Sequence, residues 1–147
     1  MKAFQDIVYS NRKNHENIHE KIIANYQQIE GWFRKNTKQN KSYFFQSEVT
    51  NSKFGSLSYK KIKTLDNYCL VEVELITGRH HQIRCSFSEL GYPIQGDLKY
   101  GSKRSNKDGG IYLHSRKVEF VHPVSKNKIF LEVDTPRTGL WTASPSY

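Results

Sequence analysis

Eight consecutive residues, Thr77-Gly78-Arg79-His80-His81-Gln82-Ile83-Arg84, restrict what this chain can become more than any other stretch. Before them, apolar Leu70, Val71, Val73, Leu75 and Ile76 follow the near-alternating pattern of a strand. After them, Ile83, Phe87 and Leu90 recur at i, i+4 and i+7, one face of a helix that Gly91 can end. The sequence therefore predicts a strand, a tight Thr-Gly turn and a helix from about His80 to Leu90. Arg84, Ser88 and His81 share the polar flank of that helix. A helix start has free N–H groups and a partial positive charge, so cationic side chains beside it make a place for an anion.

Upstream, Ser42–Val49, Ser56–Thr64 and Tyr68–Ile76 read as strands, with turns at Asn51-Ser52 and Asp66-Asn67. Connections this short exclude parallel crossovers, so the strands should be antiparallel. Downstream, residues 91–110 read as irregular, with Ser102–Gly110 a basic flexible loop. Short strands follow at Tyr112–His114, Lys117–His122 and Lys128–Val133, the last two joined by a turn through Pro123–Asn127. The predicted fold class is α+β, with a mixed, largely antiparallel sheet and one helix packed on it. Residues 1–28 are polar and read as a separate N-terminal segment. Ile18, Ile22 and Tyr26 predict an amphipathic helix over His15–Gln28. One domain is expected over 29–141, then a loosely held tail, 142–147, anchored by Leu140 and Trp141.

Twenty-three basic residues against 14 acidic leave a net charge of +9, which favours a polyanionic partner such as nucleic acid. Cys69 and Cys85 are far apart and form no Cys-x-x-Cys pair, arguing against a disulfide or zinc framework. No apolar leader or membrane-length run is visible, so a cytoplasmic location off the membrane is expected.

Three blocks in order resemble the RNA pseudouridine synthases of the ribosomal large-subunit type. Thr77–Arg84 is similar to Thr-Gly-Arg-x-His-Gln-Ile-Arg. Leu90–Gly101 is similar to Leu-Gly-His-Pro-Ile-x-Gly-Asp-x-x-Tyr-Gly. Leu113-His114-Ser115, with Val118, Phe120, His122 and Pro123, is similar to Leu-His-Ala followed by Leu-x-Phe-x-His-Pro. Weaker likeness extends through Trp32–Lys35 and Lys38–Ser42. The resemblance implies the C-terminal half of a catalytic domain that isomerises uridine to pseudouridine in ribosomal RNA without metal or cofactor. It also implies a His-Arg-Leu-Asp segment whose Asp is the nucleophile, and this sequence contains none. Neither Asp6 nor Asp66 follows Arg-Leu, and Tyr26 with Gly31 only loosely matches the family's Lys-x-Tyr-x-Ala-x-Val-x-Gly segment. The expected activity of the chain by itself is therefore nil.

Among single residues Arg84 stands first, because a guanidinium grips a carboxylate or phosphate with paired hydrogen bonds. The resemblance makes it the partner of the nucleophilic Asp. With that Asp absent, Arg84 is expected to meet solvent, an anion or a carboxylate of another copy. His80 and His81 are candidates for acid–base work or metal binding. Adjacent helix positions diverge by about 100°, which disfavours a shared ion, and His81 is expected to be hydrogen-bonded to nearby backbone. Asp97, among turn residues, is a candidate nucleophile, but the resemblance places it in a structural turn, where its carboxylate would accept backbone N–H bonds. The candidate RNA-binding set is Arg79, His81, Lys99, Tyr100, Lys103 and Arg104, where cations would hold phosphates and the aromatic ring would stack on a base. The run Arg34, Lys35, Lys38, Lys41 and Tyr43 has the same composition, and the sequence leaves open whether it is a solvated face or a binding face. An enzyme fragment, a non-catalytic RNA-binding module and a remnant forming homodimers through an exposed sheet edge are the three readings that remain.

Overall fold

The structure is a computed structural model. It describes residues 3–11, as backbone, and residues 26–143. Seven strands form one sheet: β1 (Ala3–Asn11), β2 (Gln27–Asn36), β3 (Lys41–Phe45), β4 (Lys53–Thr64), β5 (Tyr68–Leu75), β6 (Leu113–Val121) and β7 (Lys128–Glu132). Their order is β3-β2-β4-β5-β1-β6-β7, and every described pairing is antiparallel. A single α-helix, α1 (Gln82–Glu89), and two 3-10 turns, Leu98–Tyr100 and Gly139–Ala143, complete the described elements. The chain is thus an α+β fold with an antiparallel sheet, as the short turns require. Asn51 and Lys126 adopt left-handed backbone at two of the predicted turns, with φ of 61° and 62°.

Three expectations need correction. Within the polar segment 1–28, residues 3–11 are not set apart from the domain, because β1 lies between β5 and β6 with both backbone edges paired. Its sequence contains the continuous run Ile7-Val8-Tyr9, which suits a central strand but shows no alternation to announce it. The helix predicted over His15–Gln28 gives way at its end to β2, which begins at Gln27; its remainder falls mostly on residues 12–25, outside the described set. The strands predicted at Tyr112–His114 and Lys117–His122 are one strand, β6, whose pairing to β1 shifts register opposite Gln5/Asp6.

The core lies where α1 crosses the sheet. Ile83 and Phe87 pack on Leu57, Tyr59, Val71 and Val73, with Ile94 closing the cluster. On the other face Trp141 covers Leu70, so the segment carrying Leu140 and Trp141 is anchored. Leu57, Leu70, Val73 and Ile94 are fully buried, each stabilising the fold by about 1.5–3 kcal/mol. Near the β3 edge, Gly31 of β2 pairs with Gly55 of β4. A Cβ on Gly55 would lie 2.7 Å from the Phe33 ring and 3.1 Å from Cγ of Arg79. A Cβ on Gly31 would lie 2.2 Å from the Phe44 ring. The two glycines make room for rings that support the floor beneath the start of α1.

Gly55→Val gives a clean test. Strand propensity alone favours valine there. The Phe33 ring and the Arg79 stem stand in its way, and overpacking costs about 1–3 kcal/mol. A urea titration should show Gly55→Val less stable than the parent by about 2 kcal/mol. Equal or greater stability would mean that the Gly31–Gly55 pair supports nothing.

Candidate active site

The turn between β5 and α1 is tied down by one side chain that sequence reasoning passed over, Gln82. Its Oε1 accepts the Arg79 N–H at 2.8 Å and the Thr77 hydroxyl at 2.8 Å, while its Nε2 donates to the Ser56 carbonyl at 3.0 Å. The Ser56 N–H in turn donates to Thr77 Oγ1 at 2.9 Å. Gln82 is 3% exposed and uses both ends of its amide, so it locks the Thr-Gly-Arg turn onto β4. A glutamine between a turn and the apolar face of a helix was the available signal. The same lock delays the helix. His81 sits at its N-cap in left-handed backbone, φ 52°, so Arg79, His80 and His81 form a turn and not the first helical residues.

Arg84 has a partner in its own chain, which overturns the expectation that it would meet solvent, an anion or a carboxylate of another copy. Its Nε donates to Asp97 Oδ2 at 2.7 Å and its Nη2 to Asp97 Oδ1 at 2.8 Å, a two-pronged ion pair. The Asp97 side chain is 1% exposed and that of Arg84 20%. Asp97 therefore uses its carboxylate on Arg84 and not on turn N–H groups. Its backbone carbonyl does the turn's work, accepting from Tyr100 and Ser102. The hydrogen bonds to Asp97 hold the Arg84 guanidinium above its ordinary pKa, against the opposing effect of burial. Arg84 also lies over the Tyr100 ring, 4.9 Å from guanidinium carbon to centroid.

Tyr100 connects this pair to the sheet edge. Its hydroxyl oxygen accepts the Ser42 N–H from β3 at 2.8 Å and lies 2.9 Å from His81 Nδ1. His81 Nε2 is 3.1 Å from Nη1 of Arg84, which has only hydrogens to offer. His81 Nε2 is therefore the acceptor, and a neutral ring places its proton on Nδ1, directed at the Tyr100 oxygen. Burial, then the Arg84 charge, push His81 down to about 4. The partners of His81 are side chains and not the backbone expected from sequence. Its ring stacks on His80, 3.8 Å between centroids, and His80 reaches Ser42 Oγ at 2.8 Å and Asn40 Oδ1 at 3.0 Å. Cys85, beneath them, is pushed up to about 12 by burial, which favours its protonated thiol.

Of the other sequence candidates, Lys99 Nζ caps the β2–β3 turn through the carbonyls of Gln39 and Asn40, at 3.3 and 3.1 Å. Arg79 Nε donates to the Phe54 carbonyl at 2.6 Å. Tyr100 is 3% exposed and carries Lys41 as well as Arg84 against its ring, so it offers no open face to a base. Its place is structural. Lys103 and Arg104 are exposed on the loop after the 3-10 turn, and the Ser102 hydroxyl pins the start of that loop to Gly96 N and Arg104 O. No cluster of His, Cys, Asp or Glu suited to a metal ion occurs among the described residues. No described helix is long and apolar enough to cross a membrane.

The sequence profile described as RNA pseudouridylate synthase matches residues 4–89. The chain belongs to that family. An uncharacterised RNA pseudouridine synthase of Chloroflexus aurantiacus is 46% identical over 68 residues, covering 46% of this chain and 22% of that protein. The ribosomal large subunit pseudouridine synthase C of Vibrio cholerae is 32% identical over 92 residues, 58% of this chain and 29% of that one. The fold matches human RNA pseudouridylate synthase domain containing 1, with TM-score 0.70, 19% identity, and coverage of 93% of this chain and 56% of that structure. Each match thus spans well under two thirds of the relative's length.

Two predictions come from this geometry. Arg84→Ala leaves Asp97 buried without its partner, and breaking such a pair costs about 3–5 kcal/mol. Denaturant unfolding should show a loss of that order, about the low end because Arg84 is partly exposed, and Asp97→Asn added to Arg84→Ala should recover part of it. An Arg84→Ala variant as stable as the parent would refute the pairing. The second concerns pH. His81 is lowered in the folded chain, so the unfolded chain binds the proton more readily. This contribution to stability is complete above about pH 6.5 and is lost as pH falls towards 4. His81→Asn, which tolerates left-handed backbone, should flatten the stability profile in that window. An unchanged slope there would show that His81 does not titrate as inferred.

Proposed function

We propose that this chain is a pseudouridine synthase-like protein that binds ribosomal RNA and does not isomerise uridine by itself. The observation that carries this reading is the way Arg84 is used. A guanidinium has five N–H donors. Asp97 engages two and His81 one, leaving two on the terminal nitrogens of a side chain that is 20% exposed. The residue is held by one edge and can still receive a phosphate or a carboxylate at the other. Pairing with Asp97 and the family's pairing with a nucleophilic Asp are therefore compatible. Asp97 itself is a poor nucleophile: it is buried and both oxygens are bonded to Arg84. The sequence has no Arg-Leu-Asp to replace it. RNA affinity has support from the +9 charge and from Arg79, Lys99, Lys103 and Arg104 near or beyond the turn.

A second reading, self-association, is favoured by β7. This edge strand and the residue after it expose Phe130, Leu131 and Val133 at 57, 53 and 58%. An apolar strand edge that is unpaired among the described residues is a template for a second copy.

Incubating the chain with ribosomal RNA labelled with tritium at uridine C5 should release no tritium above the blank. The same RNA should be retained on a filter at low salt and lost steeply towards physiological salt. Tritium release would overturn the inactivity, and salt-independent retention would overturn the phosphate contacts. Light scattering on the same preparation reads self-association directly.

A further inference from the structure

The face of the sheet opposite α1 holds an ordered surface that the site above does not use. Phe45 of β3, Trp32 of β2 and Phe54 of β4 are direct cross-strand partners, so their rings form one row across three strands. Trp32 and Phe54 meet edge to face, 5.7 Å between centroids. The next row on the same face pairs Tyr43 with Arg34, and the row beyond pairs Lys41 with Asn36. Arg34 lies over the Phe45 ring at 4.9 Å, and Lys41 over the Tyr43 ring at 5.4 Å. Tyr43 is 38% and Phe54 40% exposed. None of these rings belongs to the buried clusters among the described residues. Glu30, two residues along β2 on this face, is bonded by Gln28 at 2.7 Å and Ser56 at 3.3 Å.

We infer that the row Phe45–Trp32–Phe54, flanked by Arg34, Tyr43 and Lys41, is a platform for single-stranded nucleic acid, distinct from the Arg84 site. A covered core needs no cations between its rings, and a solvated face needs no rings between its cations. Aromatic faces stack on unpaired bases whatever their sequence, while guanidinium and ammonium groups beside them hold phosphates. A sheet surface carries such rings in register, because partners directly opposite share a face. The platform also connects with the other site. Lys41 is 5.4 Å from the centroid of Tyr100 as well as from that of Tyr43, so one cation bridges the β3 edge between the two faces. This inference does not rest on the chain's being a pseudouridine synthase, and its test involves no isomerisation.

Trp32 supplies the readout, because the chain's other tryptophan, Trp141, is 8% exposed and packed against Leu70 of β5. Titrating the full chain with oligouridylate should quench tryptophan emission, and a duplex of equal length should quench it far less. Phe54→Ala and Tyr43→Ala should each weaken oligouridylate binding by about fivefold or more. Arg34→Ala should weaken it and reduce the slope of log affinity against log salt by about 1. Thermal melting of each variant verifies that the fold is retained. Where a truncated ring does unfold the chain, Arg34→Ala alone carries the test, since that side chain is exposed and lies outside the core. Quenching that fails to appear, or that is equal with duplex, overturns the platform. So does emission that changes with protein concentration and not with oligonucleotide, because the face would then be an interface between copies.

Discussion

Asp97 and Arg84 bury one another, and the surrounding structure depends on that exchange. Neither charge could occupy its position without the other, since an unpaired buried ion costs several kcal/mol. Paired, they join α1 to the segment that follows it. The fork fixes Asp97, whose carbonyl closes the turn through Tyr100 and Ser102. Tyr100, held beneath the guanidinium, reaches the N–H of Ser42 on the edge strand β3. The ion pair thereby adds a second tie between α1 and β3, beside the direct bond from the Cys85 thiol to the Ser42 carbonyl at 3.4 Å.

A further tie is the Gln82 amide, which holds the Thr77–Arg79 turn to β4 from the opposite side. The Gln82 amide and the ion pair divide the labour. Gln82 fixes where the helix begins, and Asp97 fixes which way Arg84 points. The floor beneath them is shaped by what is missing from it. Gly31 and Gly55 pair across β2 and β4, and the rings of Phe44 and Phe33 occupy the space two side chains would have filled.

Much of this was legible in the sequence, and the reasons for the rest are specific. The β5–turn–α1 unit was readable because apolar periodicity changes from strand to helix across Thr77–Arg84, where packing and pattern agree. The turns at Asn51 and Lys126 were readable because short polar segments between strands leave the chain little else to do. β1 was not readable: a central strand shows no polar face, and the polar residues that follow it dominate a window average. β2 was missed because the helix read over His15–Gln28 takes its first two residues, and Gly31 with the charged Arg34 and Lys35 breaks the strand pattern in the rest. The Arg84–Asp97 pair was missed for a different reason. Thirteen positions separate the two residues, and each carried a meaning of its own, one as the partner of an absent Asp and the other as a turn former. Only the packing of the turn beneath α1 shows that the two meanings meet.

The same packing decides where the positive potential resides. Asp97 offsets the charge of Arg84, and burial keeps His81 neutral down to about pH 4. The deep groups thus contribute geometry more than charge. The potential that an approaching polyanion meets comes from the rim, from Lys35, Lys41, Lys99 and Arg79, which are exposed or half-exposed. Such charges attract over a Debye length of about 8–10 Å and are screened by salt. The two donors left on Arg84 act only at contact and are screened far less. Attraction at the rim and selection at the floor are therefore separate properties. For the RNA binding proposed above, a substitution at Lys99 should change the rate of arrival, and one at Arg84 the structure on which the RNA lands.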